Sequence, residues 1–303
     1  MMRIAIAIPA YNSRRTIVET LESLQKQGPP LDAVEAVWLA DDGSEDGTVA
    51  AARQAWKASV PLRVLEGEAH VGQGRNSNRV MMAVGELVEW VLFLHADDVV
   101  KPSWLSTMMS QIQHCGPSVA SICSSWDSLQ PDGAVMAGEE APQRPVETIG
   151  PSPRTIRDTL WKGCWWHISG CAIRRRAFWD VGGLDPAFTY NGDFEILLRW
   201  FAHGWSVRYV PRSLIAYRQH EASVSSSAFR SDEDIRQSLQ VTQRYAAPLP
   251  WSLLAALHAR NGLFAARRIG RAFLQGRLRR GLLSVRTLWM VGVSAVQCAR
   301  RGR

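Results

Sequence analysis

The chain has 303 residues, 46% hydrophobic and 21% charged, which allows one large α/β domain or about two domains and excludes global disorder. Its net charge of +7 is uneven: residues 251–303 hold 11 Arg and no Lys, Asp or Glu, leaving 24 basic against 28 acidic residues in the first 250. A slightly acidic body therefore precedes a basic tail, and five scattered cysteines exclude a disulfide scaffold and fit a reducing, cytoplasmic setting.

In chain order, Ile4, Ile6 and Ile8 predict a short strand stopped by Pro9, too short and without the cleavage site of a signal peptide. Ser13 is a cap for a helix with Ile17, Leu21 and Leu24 on one face, ended by Gly28-Pro29-Pro30. A second strand is expected over 33–40, closing on Asp41-Asp42-Gly43, with Asp46 capping a helix to about residue 57. A third strand over 62–65, a helix through Val80, Val84 and Leu87, and a buried strand over 90–94 follow. Pro102 opens a helix with Trp104, Leu105, Met108, Met109 and Ile112 inward. This β-α-β-α order predicts a mostly parallel sheet flanked by helices, with ligands beyond the carboxyl ends of its strands. Asp41, Asp42, Asp97 and Asp98 stand at those ends. Later come strands over 119–125, 168–174, 207–211 and 214–217, a turn at Gln130-Pro131-Asp132-Gly133 and a surface loop over 137–153. Asp193 opens a helix carrying Ile196, Leu197, Trp200 and Phe201 on one side, and 231–245 and most of 251–299 read as helical. The last charge-free stretch, 287–299, is shorter than the about 20 apolar residues a membrane span needs.

Pro9-Ala10-Tyr11-Asn12, Asp41-Asp42-Gly43-Ser44-Glu45-Asp46-Gly47-Thr48 and Ala96-Asp97-Asp98 each follow a predicted strand. With Gly182-Gly183-Leu184-Asp185-Pro186, Gly192-Asp193-Phe194-Glu195 and the stretch 217–225 behind them in order, they resemble glycosyltransferase family 2 over about residues 3–227. The resemblance implies a GT-A fold, Rossmann-like with a mostly parallel sheet flanked by helices, and transfer of a sugar from a nucleotide donor with inversion. We expect a transferase domain over 1–245, with a nucleotide-binding part at 1–115 and an acceptor-side part at 116–245. A basic helical extension over 246–303 lies outside the resemblance.

A departing diphosphate needs positive charge nearby, which a hard divalent ion held by one or two carboxylates supplies. By resemblance Asp98 is the metal ligand, for Mn²⁺ or Mg²⁺, and Asp97 contacts the donor sugar or ribose. Alone, the pair also reads as a turn before the helix at Pro102. His95 stands where many family members have aspartate; imidazole suits Mn²⁺ better than Mg²⁺, and a bond to ribose or backbone is its other reading. By resemblance Pro9, Ala10, Tyr11 and Asn12 line the donor pocket, Asp42 accepts an N–H from the base, and Asp41 orients the loop. Uracil and thymine carry such an N–H, although Asp42 and Ser44 also suit a plain turn. Arg75 is a candidate for ribose or phosphate, and Arg218 for phosphate. His220 is a candidate for the diphosphate or the metal, or a solvated loop histidine.

Asp193 is the candidate general base for single displacement, or a helix cap; Gly192 replaces the usual acidic neighbour. Trp165 and Trp166 are candidates for an acceptor platform, with core packing as the alternative. Cys164-x2-His167-x3-Cys171 lacks the fourth ligand of a structural zinc site. In the tail, Leu282, Val285, Trp289, Val293 and Val296 share one helical face amid arginines. That pattern fits an anionic membrane surface or a packed extension with solvated arginines. The expected activity is metal-dependent inverting transfer, with a UDP-sugar favoured, to a glycan or lipid-linked acceptor in polysaccharide or cell-surface glycan synthesis. The expected location is cytoplasmic, at the inner membrane face, with no nucleic-acid partner. The alternative is a non-catalytic nucleotide-sugar-binding or membrane-associated scaffold.

Overall fold

The computed structural model describes residues 3–138, 144–220, 223–247 and 249–301, with 297–301 described by backbone alone. The centre of the expected loop at 137–153, and Glu221 and Ala222 of the late family segment, lie outside the described residues. The first part of the chain runs β1 (Ile4–Ala10), α1 (Ile17–Gln25), α2 (Pro29–Asp32), β2 (Val37–Asp41), α3 (Thr48–Ala55), β3 (Leu62–Leu65), α4 (Gln73–Ala83) and β4 (Trp90–Phe93). Next come β5 (Val99–Val100), α5 (Trp104–Gln113), β6 (Val119–Leu129), β7 (Val135–Met136), β8 (Glu147–Ile149), α6 (Pro153–Lys162), β9 (Ala172–Arg174) and α7 (Arg175–Asp180). The chain closes with α8 (Gly192–Ala202), β10 (Ser206–Arg218), α9 (Val224–Ser231), α10 (Glu233–Arg244), α11 (Trp251–Leu274) and α12 (Leu278–Arg301).

Two compact units emerge, neither continuous in sequence: Met1–Pro151, Trp166–Ala187 and Arg199–His220 form the first, and Ser152–Trp165, Phe188–Leu198 and Glu221–Arg303 the second. The first unit is built on one sheet in the order β3-β2-β1-β4-β9-β6-β10-β5. β3, β2, β1 and β4 are parallel, as the β-α-β-α pattern predicts. The other half departs from a mostly parallel sheet, because β9 runs antiparallel to both β4 and β6. β6 and β10 are again parallel, and β5 and β8 pair antiparallel with β10. β1 is buried along its whole length. With Ile17, Leu21, Leu39, Trp90, Trp104 and Met108 it forms the continuous core beneath the strand ends.

Several expected elements are shorter or longer for local reasons. The strand expected over 168–174 begins only at Ala172. Gly170 adopts φ +81 and its amide bonds to Phe93 O, while a Cβ there would fall 2.6 Å from the Ile215 side chain. Leu87 points to solvent because α4 ends at Ala83, where Gly85 turns with φ 83. The two strands expected over 207–217 are one strand, β10, whose register against β6 shifts near Val210 and Ser213. The first helix is not capped by the Ser13 side chain; the Ser13 carbonyl accepts from the Thr16 and Ile17 amides instead.

The second unit is helical. Its centre is Asp232, a non-glycine residue at φ 57 between α9 and α10. Its buried carboxylate accepts from Arg268 Nη1 (2.8 Å), Arg280 Nη2 (2.5 Å) and Ser284 Oγ (2.8 Å), joining α10, α11 and α12. Burial alone would raise this carboxyl group, but the bonds from Arg280, Arg268 and Ser284 outweigh it and hold it below the usual carboxylate range. Asp232→Asn keeps the shape and removes the charge opposing two guanidiniums. We expect a loss of about 3 kcal/mol, read as a lower denaturant midpoint. A depressed folded value means that this stabilisation is full above about pH 4 and fades as the pH falls through the folded value. The variant should lack that acid-sensitive component.

Candidate active site

The site starts from the end of β4, an all-buried strand that delivers the chain into a turn at 95–98, closed by Asp98 N donating to His95 O at 3.2 Å. Asp98 is wholly buried. Its Oδ1 accepts from the Arg218 amide at the end of β10 (2.9 Å), and its main-chain oxygen accepts from Thr20 Oγ1 of α1 (2.8 Å). Oδ2 has no hydrogen-bond partner; His95 Nδ1 lies 3.9 Å away. The Arg218 side chain donates from Nε to Asp97 O (2.7 Å) and pairs with Glu19. His220 Nε2 sits 2.9 Å from Asp97 Oδ2. Burial, then the charge of Asp97, pushes the Asp98 carboxyl well above its ordinary value, against the opposing pull of the Ser169 side chain and Arg218. Burial acts the same way on Asp97, but the hydrogen bond from His220 and the charges of His95 and His220 carry it below the usual range. The pair thus shares its protons unequally, with the Asp97 carboxyl ionised first.

The second cluster lies at the end of β2. Gly43, at φ 76, lets the backbone at Ala69 approach so closely that a Cβ would fall 2.9 Å from it. The loop before α4 is thereby laid against Asp42, whose Oδ1 accepts from Val71 N (3.0 Å) and whose Oδ2 accepts from Gly72 N (2.8 Å). His70 Nδ1 lies 2.8 Å from Oδ2, and its ring stacks on Tyr11 with centroids 3.8 Å apart and planes 25° apart. Asp41 accepts from Ser44 N through Oδ2, and its Oδ1 is buried without a partner. Asn12, in the left-handed region that suits asparagine, accepts from Glu45 N on its side-chain oxygen and donates its main-chain N–H to Ser44 Oγ. Pro9 and Ala10 are buried beneath, at the end of β1.

The structure does not bring Arg75 to this cluster: it is exposed on α4 beside Leu65, Met82 and Ala83. Arg79, one turn on, holds the loop instead. It donates to Glu66 O and Asn76 Oδ1 (both 3.1 Å) and lies 4.0 Å from Asp42. Sequence reasoning missed Arg79, His70 and Gln73, whose Nε2 lies 2.9 Å from His95 Nε2. A metal on His95 Nδ1 would require Gln73 to present its oxygen there, so that Nε2 carries the proton.

Trp166 does not serve as an acceptor platform. It is fully buried, donates to Ser121 Oγ (2.9 Å) and meets Trp200 edge-on at 5.2 Å, so no indole face is open to a sugar. Trp165 is partly exposed, with Nε1 donating to Thr159 Oγ1 at 3.3 Å. His167, considered above only for zinc, packs against His95, Tyr217 and Trp126, and its Nδ1 is buried without a hydrogen-bond partner. Among the described residues the group able to share a cation is His95, Asp97 and Asp98, with ligand atoms within 4.8 Å of one another; Cys164, His167 and Cys171 form no such group. In the second unit Asp193 lies partly buried in the first turn of α8. Two residues on, the buried Glu195 is bound by Arg244 Nη1 (2.7 Å) and Tyr245 OH (3.0 Å).

The profile of Glycosyl transferase family 2 matches residues 5–182. The chain is 25% identical to validoxylamine A glucosyltransferase of Streptomyces hygroscopicus subsp. jinggangensis, over 77% of this chain and 60% of that protein's length. It is also 25% identical to N-acetylglucosaminyl-diphospho-decaprenol L-rhamnosyltransferase of Mycobacterium tuberculosis, over 75% of this chain and 82% of the relative. Among solved structures, TarS 1-349 of S. aureus in complex with UDP-GlcNAc aligns with a TM-score of 0.62 at 16% identity, covering 98% of this chain and 92% of that one. The mannosyltransferase PcManGT of Pyrobaculum calidifontis, in complex with GDP-Man and Mn2+, aligns at 0.56 and 16%, covering 97% and 87%. Both likenesses support the GT-A fold.

The residues present fit a divalent cation: a hard oxygen donor, buried and unpartnered, with a second carboxylate beside it. Asp98→Asn should therefore stabilise the metal-free protein by about 1–2 kcal/mol, since it removes a charge that the fold desolvates with only partial compensation from Arg218 and Ser169. For a carboxyl group raised on folding, the penalty is present above the folded value and vanishes as the pH drops to the unfolded range near 4. The variant's advantage should be largest at neutral pH and absent near pH 4. Mn²⁺ should raise the melting temperature of the parent and leave the variant unmoved.

Proposed function

The chain belongs to glycosyl transferase family 2, acting on nucleotide sugars, and from that premise we propose a metal-dependent inverting transfer from a UDP-sugar to a glycan or lipid-linked acceptor. The observation that carries the reading is the buried, unpartnered Asp98 carboxylate oxygen at the carboxyl end of β4, with Asp97 beside it. Asp98 and Asp97, with His95 at the edge, would hold the divalent ion, which neutralises the diphosphate as it departs. Arg218 and His220 bond to Asp97, Asp98 and Glu19 and so brace the turn, and they stay candidates for the diphosphate, His220 also for the metal. Pro9, Ala10, Tyr11, Asn12, Asp41 and Asp42 take the base and ribose. Arg79 braces the loop beside Asp42, and Arg75 stays a candidate for the ribose or a phosphate. The lipid-linked acceptor draws support from the mycobacterial relative, an N-acetylglucosaminyl-diphospho-decaprenol L-rhamnosyltransferase, and the partly exposed Trp165 is a candidate to meet the acceptor.

Asp193 is proposed as the base that removes the acceptor's hydroxyl proton. Asp193→Asn keeps an oxygen able to cap α8. The transfer rate should fall about 10²–10⁴-fold while donor affinity stays near that of the parent. Turnover at the parental rate would assign Asp193 to structure.

We further propose a peripheral place on an anionic bilayer at the inner membrane face. No helix among the described residues is long and apolar enough to cross a membrane. α12, however, is amphipathic in the inverse sense. Gly281, Ser284, Thr287, Val291 and Ser294 face inward, while Leu278, Leu282, Val285, Trp289 and Val296 are exposed, Trp289 at 69%. Arg260, Arg268 and Arg280 are committed to internal bonds and leave the set of membrane candidates. Arg267, Arg271, Arg277, Arg279 and Arg286 remain exposed. An apolar stripe amid exposed cations matches the headgroup boundary of an anionic membrane. The protein should sediment with phosphatidylglycerol-containing vesicles, less so at high salt, and Trp289→Asp should weaken binding at least tenfold. Equal binding to neutral vesicles would contradict the electrostatic part.

A further inference from the structure

The stacked pair of Tyr11 and His70 stands where the proposed donor's base belongs. A uracil ring in that subsite needs two things from the protein: a flat aromatic face, and a carboxylate oxygen for its N–H. Tyr11 and Asp42 are the groups assigned to those tasks, and His70 uses both. Its ring lies on Tyr11 at 3.8 Å, and its Nδ1 lies 2.8 Å from Asp42 Oδ2. With Val71 N and Gly72 N on the same carboxylate, the Asp42 side chain is only 2% exposed. No base can reach it while the imidazole stays. The His70 side chain is itself 49% exposed, so it can leave by rotation without opening the core.

We propose that His70 is an internal stand-in for the nucleobase: it fills the base subsite of the empty protein, is displaced by the incoming donor, and returns as the nucleoside diphosphate product leaves. The inference rests on the reading of Tyr11 and Asp42 as the base site. Its consequence is an affinity set by competition. Apparent affinity falls by the fraction of molecules in which His70 has already moved aside. The same return of the imidazole speeds product release, a step that limits turnover in many enzymes. The competition acts on the base alone, so ligands without a base escape it.

The test is calorimetry of UDP and of pyrophosphate, each with Mn²⁺, on the parent and on His70→Ala. UDP should bind the variant about tenfold more tightly and dissociate more slowly, while pyrophosphate affinity is unchanged. Weaker UDP binding would make His70 a wall that the base stacks against, and would overturn the proposal. Equal binding to both proteins would overturn the displacement and leave the donor site standing. UDP binding to neither would bring down the donor-site reading and this inference together. A measurement on the parent alone is independent of the variant's folding. The His70 ring-proton resonances, shifted by the Tyr11 face, should move toward free-imidazole positions when UDP is added. Resonances that UDP leaves in place contradict the displacement.

Discussion

The burial of Asp98 is the constraint to which the first unit answers. An ionised carboxylate removed from water costs several kcal/mol unless donors surround it, and here only one of its two oxygens is served. The unserved oxygen persists because the turn around it is fixed from three sides. β4 delivers it from a fully buried strand, Thr20 of α1 grips the Asp98 carbonyl, and β10 ends with the Arg218 amide on Oδ1 and the guanidinium on Asp97 O. A lone flexible loop would rotate such a group into solvent. The parallel half of the sheet supplies the rigid base, and the mixed half supplies β10, the strand that closes over it.

What was legible in the sequence is what depends on neighbours in the chain. β1 to β4 carry continuous apolar runs ended by proline, glycine or paired aspartates, and their parallel order follows from alternating strands and helices. The carboxylates at the strand ends follow from the same pattern. The antiparallel insertion of β9 between β4 and β6 did not, since it depends on long-range pairing across residues 90–174. Arg79 was not legible as a contact of this loop: Arg75 and Arg79 lie one turn apart on the same face of α4, and only the return of the chain at Glu66 gives the Arg79 guanidinium a main-chain acceptor while the Arg75 side chain stays exposed.

Trp165 and Trp166 show the same limit. Adjacent residues leaving a loop point in different directions, so a pair of indoles cannot both be platform and core. Burial separated them, with Trp166 locked by Ser121 and Trp200. The second unit inverts a more basic rule. An apolar stripe at helical spacing ordinarily marks the side a helix buries. In α12 the buried side is instead Ser284, Thr287 and Ser294, because the facing helices present polar partners: Asp232 for Ser284, and His258 and Gln243 for Ser294. Satisfied polar contacts inside leave the leucines and Trp289 outside, and only three-dimensional pairing reveals which face won.

The two carboxylate clusters of the first unit are held by opposite means, and the difference bears on how the site is kept when empty. Asp42 is compensated from within: two backbone amides and the His70 ring meet its oxygens, and the Tyr11 face is covered in the same act. Asp98 is left incompletely served, its charge disfavoured until a further positive group arrives. The first arrangement stabilises a closed subsite and lowers affinity for whatever must open it. The second leaves a subsite that any suitable cation relieves, raising affinity by the desolvation already incurred. On the proposed donor site, a donor carrying both a base and a diphosphate would meet one half that resists it and one half that draws it in, and its net affinity would be the difference between the two.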